Sequence, residues 1–160
     1  MQNNDKLFTL LEKHNCIYRN KEIKLSSGEN SSIYYDIKKA TGIPELFTYI
    51  IEELQKIIPE KSSIVAVSTG GIPYGAALAN IYQTNFAYIR ERKKKYGMKN
   101  TVEGYIDYNR PIYIIDDVCT TGKSILNAKN SLIDNKNINL VCILNRNKQE
   151  FKIISLLDVK

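Results

Sequence analysis

The stretch Pro111-Ile112-Tyr113-Ile114-Ile115-Asp116-Asp117-Val118-Cys119-Thr120-Thr121-Gly122-Lys123-Ser124 decides the fold. Ile112 to Ile115 is a short β-branched and aromatic run, the pattern of a buried strand. Asp116 and Asp117 place two adjacent carboxylates where that strand should end. Thr120 to Ser124 is a hydroxyl-rich turn around a glycine, and Ile125, Leu126 and Ala128 begin a helix at Ile125–Leu132. In an open α/β sheet, ligands bind outside the carboxyl ends of strands. A helix start offers unpaired N–H groups and the positive end of a dipole, which suit a phosphate. Carboxylates accept from O–H, so the acid pair suits vicinal sugar hydroxyls. Together these point to a ribose phosphate. Two competing readings exist. Asp-Asp followed by an N-cap can be an ordinary solvated turn. Gly122-Lys123-Ser124 also ends like a nucleotide P-loop, but that motif needs glycine five residues earlier, where Asp117 stands.

Outward from this stretch, strands and helices alternate, which predicts an α/β fold with a mainly parallel central sheet flanked by helices. Ser63–Val67 is a strand of buried type, followed by Ser68-Thr69-Gly70-Gly71-Ile72-Pro73 and an Ala-rich helix at Tyr74–Tyr82. The paired glycines allow a backbone to approach an anion closely. Phe86–Ile89, Ile138–Leu144 and Phe151–Leu157 are further strands. Pro44–Ile58 has Leu46, Ile50, Leu54 and Ile57 or Ile58 on one helical face, with Pro44 in its first turn and Pro59 ending it. Asp5–Lys13 is a short helix through Leu7, Leu10 and Leu11. Its apolar face caps the sheet or meets a second subunit, and the pattern does not choose. His14 follows at its end, in a structural position. Cys16–Leu25 and Ile33–Asp36, separated by a Ser/Gly/Asn-rich turn, form a small N-terminal β hairpin, or hood. Tyr34 and Tyr35 on it either pack or stack on a planar ligand.

The chain of 160 residues carries a formal charge of +6, with 43% hydrophobic and 25% charged residues. One domain is expected over 1–160, with about 1–40 as helix and hood and about 41–160 as core. Much of the positive charge lies in Arg90-Glu91-Arg92-Lys93-Lys94-Lys95-Tyr96-Gly97-Met98-Lys99, which has no apolar period and fits a surface loop. Taken by itself it is a solvated charge run or a nucleic-acid patch. Cys16, Cys119 and Cys142 lack metal-ligand spacing, and their odd number fits a reducing cytoplasm. Cys142 belongs to the core, whereas Cys119, inside the turn, is placed as accessible. Nothing in the chain has the length and apolarity of a membrane span or signal peptide.

The stretch from Ile112 to Gly122 resembles the phosphoribosyl-pyrophosphate (PRPP) motif of type I phosphoribosyltransferases. The resemblance implies that Asp116 and Asp117 hold ribose hydroxyls and that Val118, Cys119, Thr120, Thr121, Gly122, Lys123 and Ser124 wrap the 5′-phosphate. Thr69 and Gly70 become a pyrophosphate loop. Tyr88-Ile89-Arg90, then Lys94, Gly97 and Val102-Glu103-Gly104, resemble the catalytic loop of orotate phosphoribosyltransferases. By that likeness Lys94 is catalytic beside Asp116 and Asp117, and Arg90, Lys94 and Tyr96 bind PRPP. Glu91 and Tyr96 depart from the family's cationic and histidine positions, and Ser26 stands where the hood has lysine. Arg146, after the strand at Ile138–Leu144, matches the arginine that meets the orotate carboxylate, with Thr120, Tyr34 and Tyr35 lining the base.

The resemblance implies transfer of phosphoribose from PRPP to orotate in pyrimidine biosynthesis. It implies Mg2+ held mainly by substrate and water with no dedicated protein ligands, and a cytoplasmic homodimer sharing its lid loop between subunits. No membrane partner is expected, and nucleic acid is disfavoured. Two other functions fit fewer residues: a type I transferase acting on a purine or xanthine, and a non-catalytic PRPP-sensing regulator that binds RNA.

Overall fold

The computed structural model describes residues 5–24, 30–90, 101–133, 137–146 and 150–159. Its helices and strands, in chain order, are α1 (Asp5–Lys13), β1 (Ile17–Lys24), β2 (Asn30–Tyr35), α2 (Ile37–Ala40), α3 (Pro44–Ile57), β3 (Ser63–Val67), α4 (Ile72–Tyr82), β4 (Phe86–Ile89), β5 (Val102–Gly104), β6 (Ile112–Cys119), α5 (Lys123–Asn130), β7 (Ile138–Asn145) and β8 (Ile154–Asp158). Six strands form one sheet in the order β5-β4-β3-β6-β7-β8. All its neighbours run parallel except β4 and β5. The hood is a separate antiparallel pair, β1 with β2.

The order has a mechanical consequence. From β3 the chain crosses through α4 to β4 on one side, and from β6 it crosses through α5 to β7 on the other. The adjacent β3 and β6 therefore flank a topological switch point, and the loops leaving their carboxyl ends diverge around a crevice. Those loops are the Gly70–Gly71 segment and the Thr120–Gly122 turn. Both strands are held from both sides, and every residue of β3 is buried.

The sheet is covered on both faces. One cluster gathers Leu7, Leu10 and Leu11 of α1 with Leu46, Ile50 and Leu54 of α3 and Leu78 of α4. The other packs Ile125 and Ala128 of α5 with Val65, Ile112 and Ile114. The apolar face of α1 is thus spent inside the chain, capping the core beside α3. His14 is structural, its Nε2 lying 2.7 Å from a Glu45 carboxylate oxygen.

Several boundaries correct the expectations. β6 does not stop at Ile115: its pairing with β7 continues through Asp116↔Cys142 and Val118↔Leu144 to Cys119↔Asn145. A ladder partner can hold backbone through an acidic pair when the acids lie at the open end of the sheet. α4 begins at Ile72, two residues before Tyr74, with Pro73 in its first turn, where a missing N–H costs nothing. α5 occupies Lys123–Asn130 rather than Ile125–Leu132, and β8 begins at Ile154 rather than Phe151. The short elements α2 and β5 were not anticipated.

α2 is small but firmly fixed. Asp36 caps it by accepting the Lys39 N–H at 2.9 Å, and Ile37 and Ala40 are buried. The buried Tyr74 hydroxyl donates to the Ile37 carbonyl at 2.9 Å. Burial raises the Tyr74 phenol well above its ordinary range, so it remains a donor. Tyr74→Phe should cost about 1 kcal/mol, lowering Tm by about 2–4 °C for a chain of this size. A thermal melt checks this; an unchanged Tm would mean the bond contributes nothing net.

Candidate functional site

Two adjoining clefts open at the switch point. The larger, about 470 Å³, is bounded by Tyr34, Tyr35 and Lys38 from the hood and α2, Ser68 to Gly70 after β3, Asp116 to Val118 on β6, and Thr120, Ser124 and Arg146. The second, about 340 Å³, is the cradle of Val118 to Ile125, with Asp116 at its edge. Each residue from Asp116 to Ser124 lines one or both. Thr69, Gly70, Tyr34, Tyr35 and Arg146 join them although they come from distant parts of the chain.

The acid pair is tightly built. Asp116 is only 6% exposed, and its Oδ1 accepts the Asp117 N–H at 2.9 Å. Asp117 Oδ1 accepts the Val118 N–H at 2.9 Å. Burial, followed by the neighbouring Asp117 charge, pushes the Asp116 carboxyl well above its ordinary value. The loop after β3 presses against this pair. A Cβ on Gly70 would stand 2.1 Å from Asp117 Cγ, and one on Gly71 would stand 2.2 Å from the Ile115 carbonyl oxygen. Both positions therefore need glycine for close approach. The Ser68–Thr69 peptide bond is cis.

Gly122 enters α5 at φ 76°, a left-handed conformation suited to glycine, and its carbonyl accepts the Leu126 N–H at 3.0 Å. The turn and the first residues of α5, Lys123 to Ile125, line the smaller cleft. Cys119 is not accessible as expected: it is 2% exposed. Its thiol sits against Cys142, whose hydrogen bond, together with the Gly122 N–H, draws the Cys119 thiol down, while Cys142 is pushed up. Cys119 is the last residue of β6, paired with Asn145 of β7, and not part of the open turn in which the sequence reading put it.

Arg146 joins the core to the hood. Its guanidinium donates to the Ile33 carbonyl at 3.0 Å and to Ser31 Oγ at 2.9 Å, and lies 5.6 Å from the Tyr35 ring centroid. Tyr34 leans on Tyr18 with centroids 6.2 Å apart. Its phenol is raised chiefly by burial. An aromatic pair beside a guanidinium suits a planar anion.

Arg90 follows β4 and turns to Glu103 of β5, with Nε 3.2 Å from Oε1, and its guanidinium lies 5.8 Å from the Tyr88 ring centroid. It does not line either cleft. Lys94 and Tyr96 lie outside the described residues, as do Glu91 and Ser26. Lys38 was missed by sequence reasoning. The signal for it was a Lys-Lys pair separated from the two tyrosines by Asp36 and Ile37, with no phase to say which lysine faces inward.

No protein-family model matches the chain. The chain is 36% identical over 139 residues to an orotate phosphoribosyltransferase of Methanocaldococcus jannaschii, a match spanning 86% of this chain and 78% of that one. The chain belongs to the orotate phosphoribosyltransferase family. A Pyrobaculum aerophilum orotate phosphoribosyltransferase is 40% identical over 107 residues, covering 66% of this chain and 55% of the relative, so the match spans about half of that protein. The crystal structure of an Aeropyrum pernix orotate phosphoribosyltransferase superposes with a TM-score of 0.71 at 22% identity, covering 95% of this chain and 93% of that one. A Mycobacterium tuberculosis orotate phosphoribosyltransferase also gives 0.71, at 20% identity and 97% and 95% coverage. At these identities the superpositions establish the fold: a mainly parallel sheet flanked by helices with a small hood.

Proposed function

We propose that this chain transfers the phosphoribosyl group of PRPP to orotate, giving orotidine 5′-phosphate and pyrophosphate for pyrimidine biosynthesis. One observation carries the reading. Residues suited to a sugar phosphate (Asp116, Asp117, Thr120, Ser124) and residues suited to a planar carboxylate (Tyr34, Tyr35, Arg146) line a single cleft.

The chemistry is charge management. The smaller cleft takes the 5′-phosphate on the turn and the N-terminus of α5. Asp116 and Asp117 accept from the ribose hydroxyls and stand near C1, where positive character develops as pyrophosphate departs. The Tyr34 and Tyr35 rings and the Arg146 guanidinium orient orotate so that its ring nitrogen meets C1 on the face opposite the leaving group. The donor set fits magnesium carried on PRPP: the carboxylates of Asp116 and Asp117 line the cleft as hard oxygen donors, and this ion keeps water and substrate oxygens. Asp116 and Asp117 would hold it through water or ribose oxygens, and its charge would offset the pyrophosphate. The reading extends to Lys94, with Arg90, on departing pyrophosphate, and to a cytoplasmic homodimer whose lid loop serves the partner's site.

Mixing the purified protein with orotate, PRPP and Mg2+ should consume orotate absorbance, and omitting PRPP or Mg2+ should abolish the change. Absence of turnover in the complete mixture, with turnover of a purine in a panel of bases, would replace orotate with that base.

A further inference from the structure

We propose that Lys38 is a substrate-binding cation of this site, neutralising the diphosphate of PRPP beside the Ser68–Gly70 loop. The inference rests on the PRPP reading and adds to it a residue outside the motifs.

The cleft has an electrostatic deficit. Its ligand would bring several phosphate charges to a surface that already contains Asp116 and Asp117. Among the described residues, the cations lining the larger cleft are Lys38 and Arg146. Arg146 already donates to the hood, to the Ile33 carbonyl and Ser31 Oγ. Lys38 shows no hydrogen bond or ion pair of its ammonium with any described residue. Its neighbour serves the fold instead: Lys39 Nζ donates to the Asn15 carbonyl at 2.9 Å and lies 5.8 Å from the Tyr18 ring centroid. The two lysines thus part, one toward the base of the hood and the other toward the cleft.

The placement of α2 brings Lys38 to the cleft that the loop after β3 also lines. Tyr74, in the first turn of α4, grips the Ile37 carbonyl, and α4 begins where the loop after β3 ends. Lys38 is therefore carried on a fixed element and lines the same cleft as Ser68, Thr69 and Gly70. Its charge also reaches the Tyr34 hydroxyl, together with those of Asp36 and Asp117. The ammonium stem is long enough to swing within this space, and an exposed ammonium loses little hydration until a phosphate arrives.

The test compares Lys38→Met and Lys38→Arg with the unaltered protein. Calorimetry with Mg2+ would measure inorganic pyrophosphate, PRPP and orotate separately, and steady-state assays would give KM for each substrate. Lys38→Met should weaken pyrophosphate and PRPP about tenfold, the usual worth of one charge-assisted hydrogen bond. Orotate affinity should stay within about twofold, and Lys38→Arg should recover most of the loss, a response that a packing role would not give. If Lys38→Met binds pyrophosphate and PRPP as tightly as the unaltered protein, or if only orotate weakens, the role given to Lys38 is wrong while the PRPP reading stands. If the unaltered protein binds neither PRPP nor pyrophosphate, both readings fall.

Discussion

Gly70→Ala is expected to lower turnover by about 10²–10³-fold while the protein remains folded. The added Cβ would lie 2.1–2.3 Å from the three carboxyl atoms of Asp117, closer than any packing allows. The obstructing group is a side chain, so it can rotate away. Doing so breaks its acceptance of the Val118 N–H, a loss of about 1 kcal/mol. Under the proposed function the cost in turnover is larger, because the carboxylate leaves the position from which it would accept from the ribose hydroxyls. Gly71→Ala supplies the contrast. Its Cβ would stand 2.2 Å from the Ile115 carbonyl oxygen, which is backbone in the most buried part of β6 and cannot turn aside. That variant should lose about 3 kcal/mol of stability. Melting curves and turnover measured together decide the matter. A Gly70→Ala protein with near-normal turnover would show that Asp117 does no work where it stands.

The contrast between these glycines also shows what a sequence can and cannot tell. Gly70-Gly71 after a buried strand announced close approach, read from the sequence as approach to an anion, but gave no sign of which protein atoms crowd the two glycines. The partners are Asp117 and Ile115, some 45 residues later in the chain, and only the β3–β6 register brings them together. The central strands were legible because burial on both faces demands uninterrupted β-branched runs, as in Ser63–Val67 and Ile112–Ile115. Their ends were not, because a ladder is held by its neighbour rather than by propensity. Asp116 and Asp117 stay in β6 since β7 continues opposite them. Elements of three or four residues such as β5 and α2 carry too few side chains to show a period. Lys38 was invisible for the same reason. The docking of Arg146 on Ser31 and Ile33, more than 110 residues apart in the chain, is likewise a tertiary fact. Asp116 to Ser124 are together in the chain and were read as one group, whereas Tyr34, Tyr35 and Arg146, matched to the base by resemblance alone, share a cleft with them only through packing.

Asp116→Asn should separate stability from activity in the opposite direction. The asparagine carbonyl can still accept the Asp117 N–H, so the backbone contact survives. What disappears is a charge held in a site only 6% exposed and next to a second carboxylate. The sign follows from proton linkage. Burial and Asp117 raise the folded-state carboxyl above its unfolded value, so over that interval the folded protein binds more protons than the unfolded chain. Stability from this group is therefore greatest in acid, where the carboxyl is neutral in both states. It falls as pH rises from the ordinary carboxylate value through the raised one. Asp116→Asn does not titrate, so it should match the unaltered protein in acid and exceed it at neutral pH, by about 1 kcal/mol or 2–4 °C in Tm. Turnover should nevertheless drop by about 10²-fold or more, because an amide brings no negative charge to the developing cation at C1 and offers ribose one acceptor fewer. Melts across the acid-to-neutral range, paired with turnover at neutral pH, read both effects. A variant less stable than the unaltered protein at neutral pH would mean that the buried carboxylate is better compensated than its surroundings indicate. Unaltered turnover would remove Asp116 from the chemistry, leaving ribose recognition to Asp117 alone.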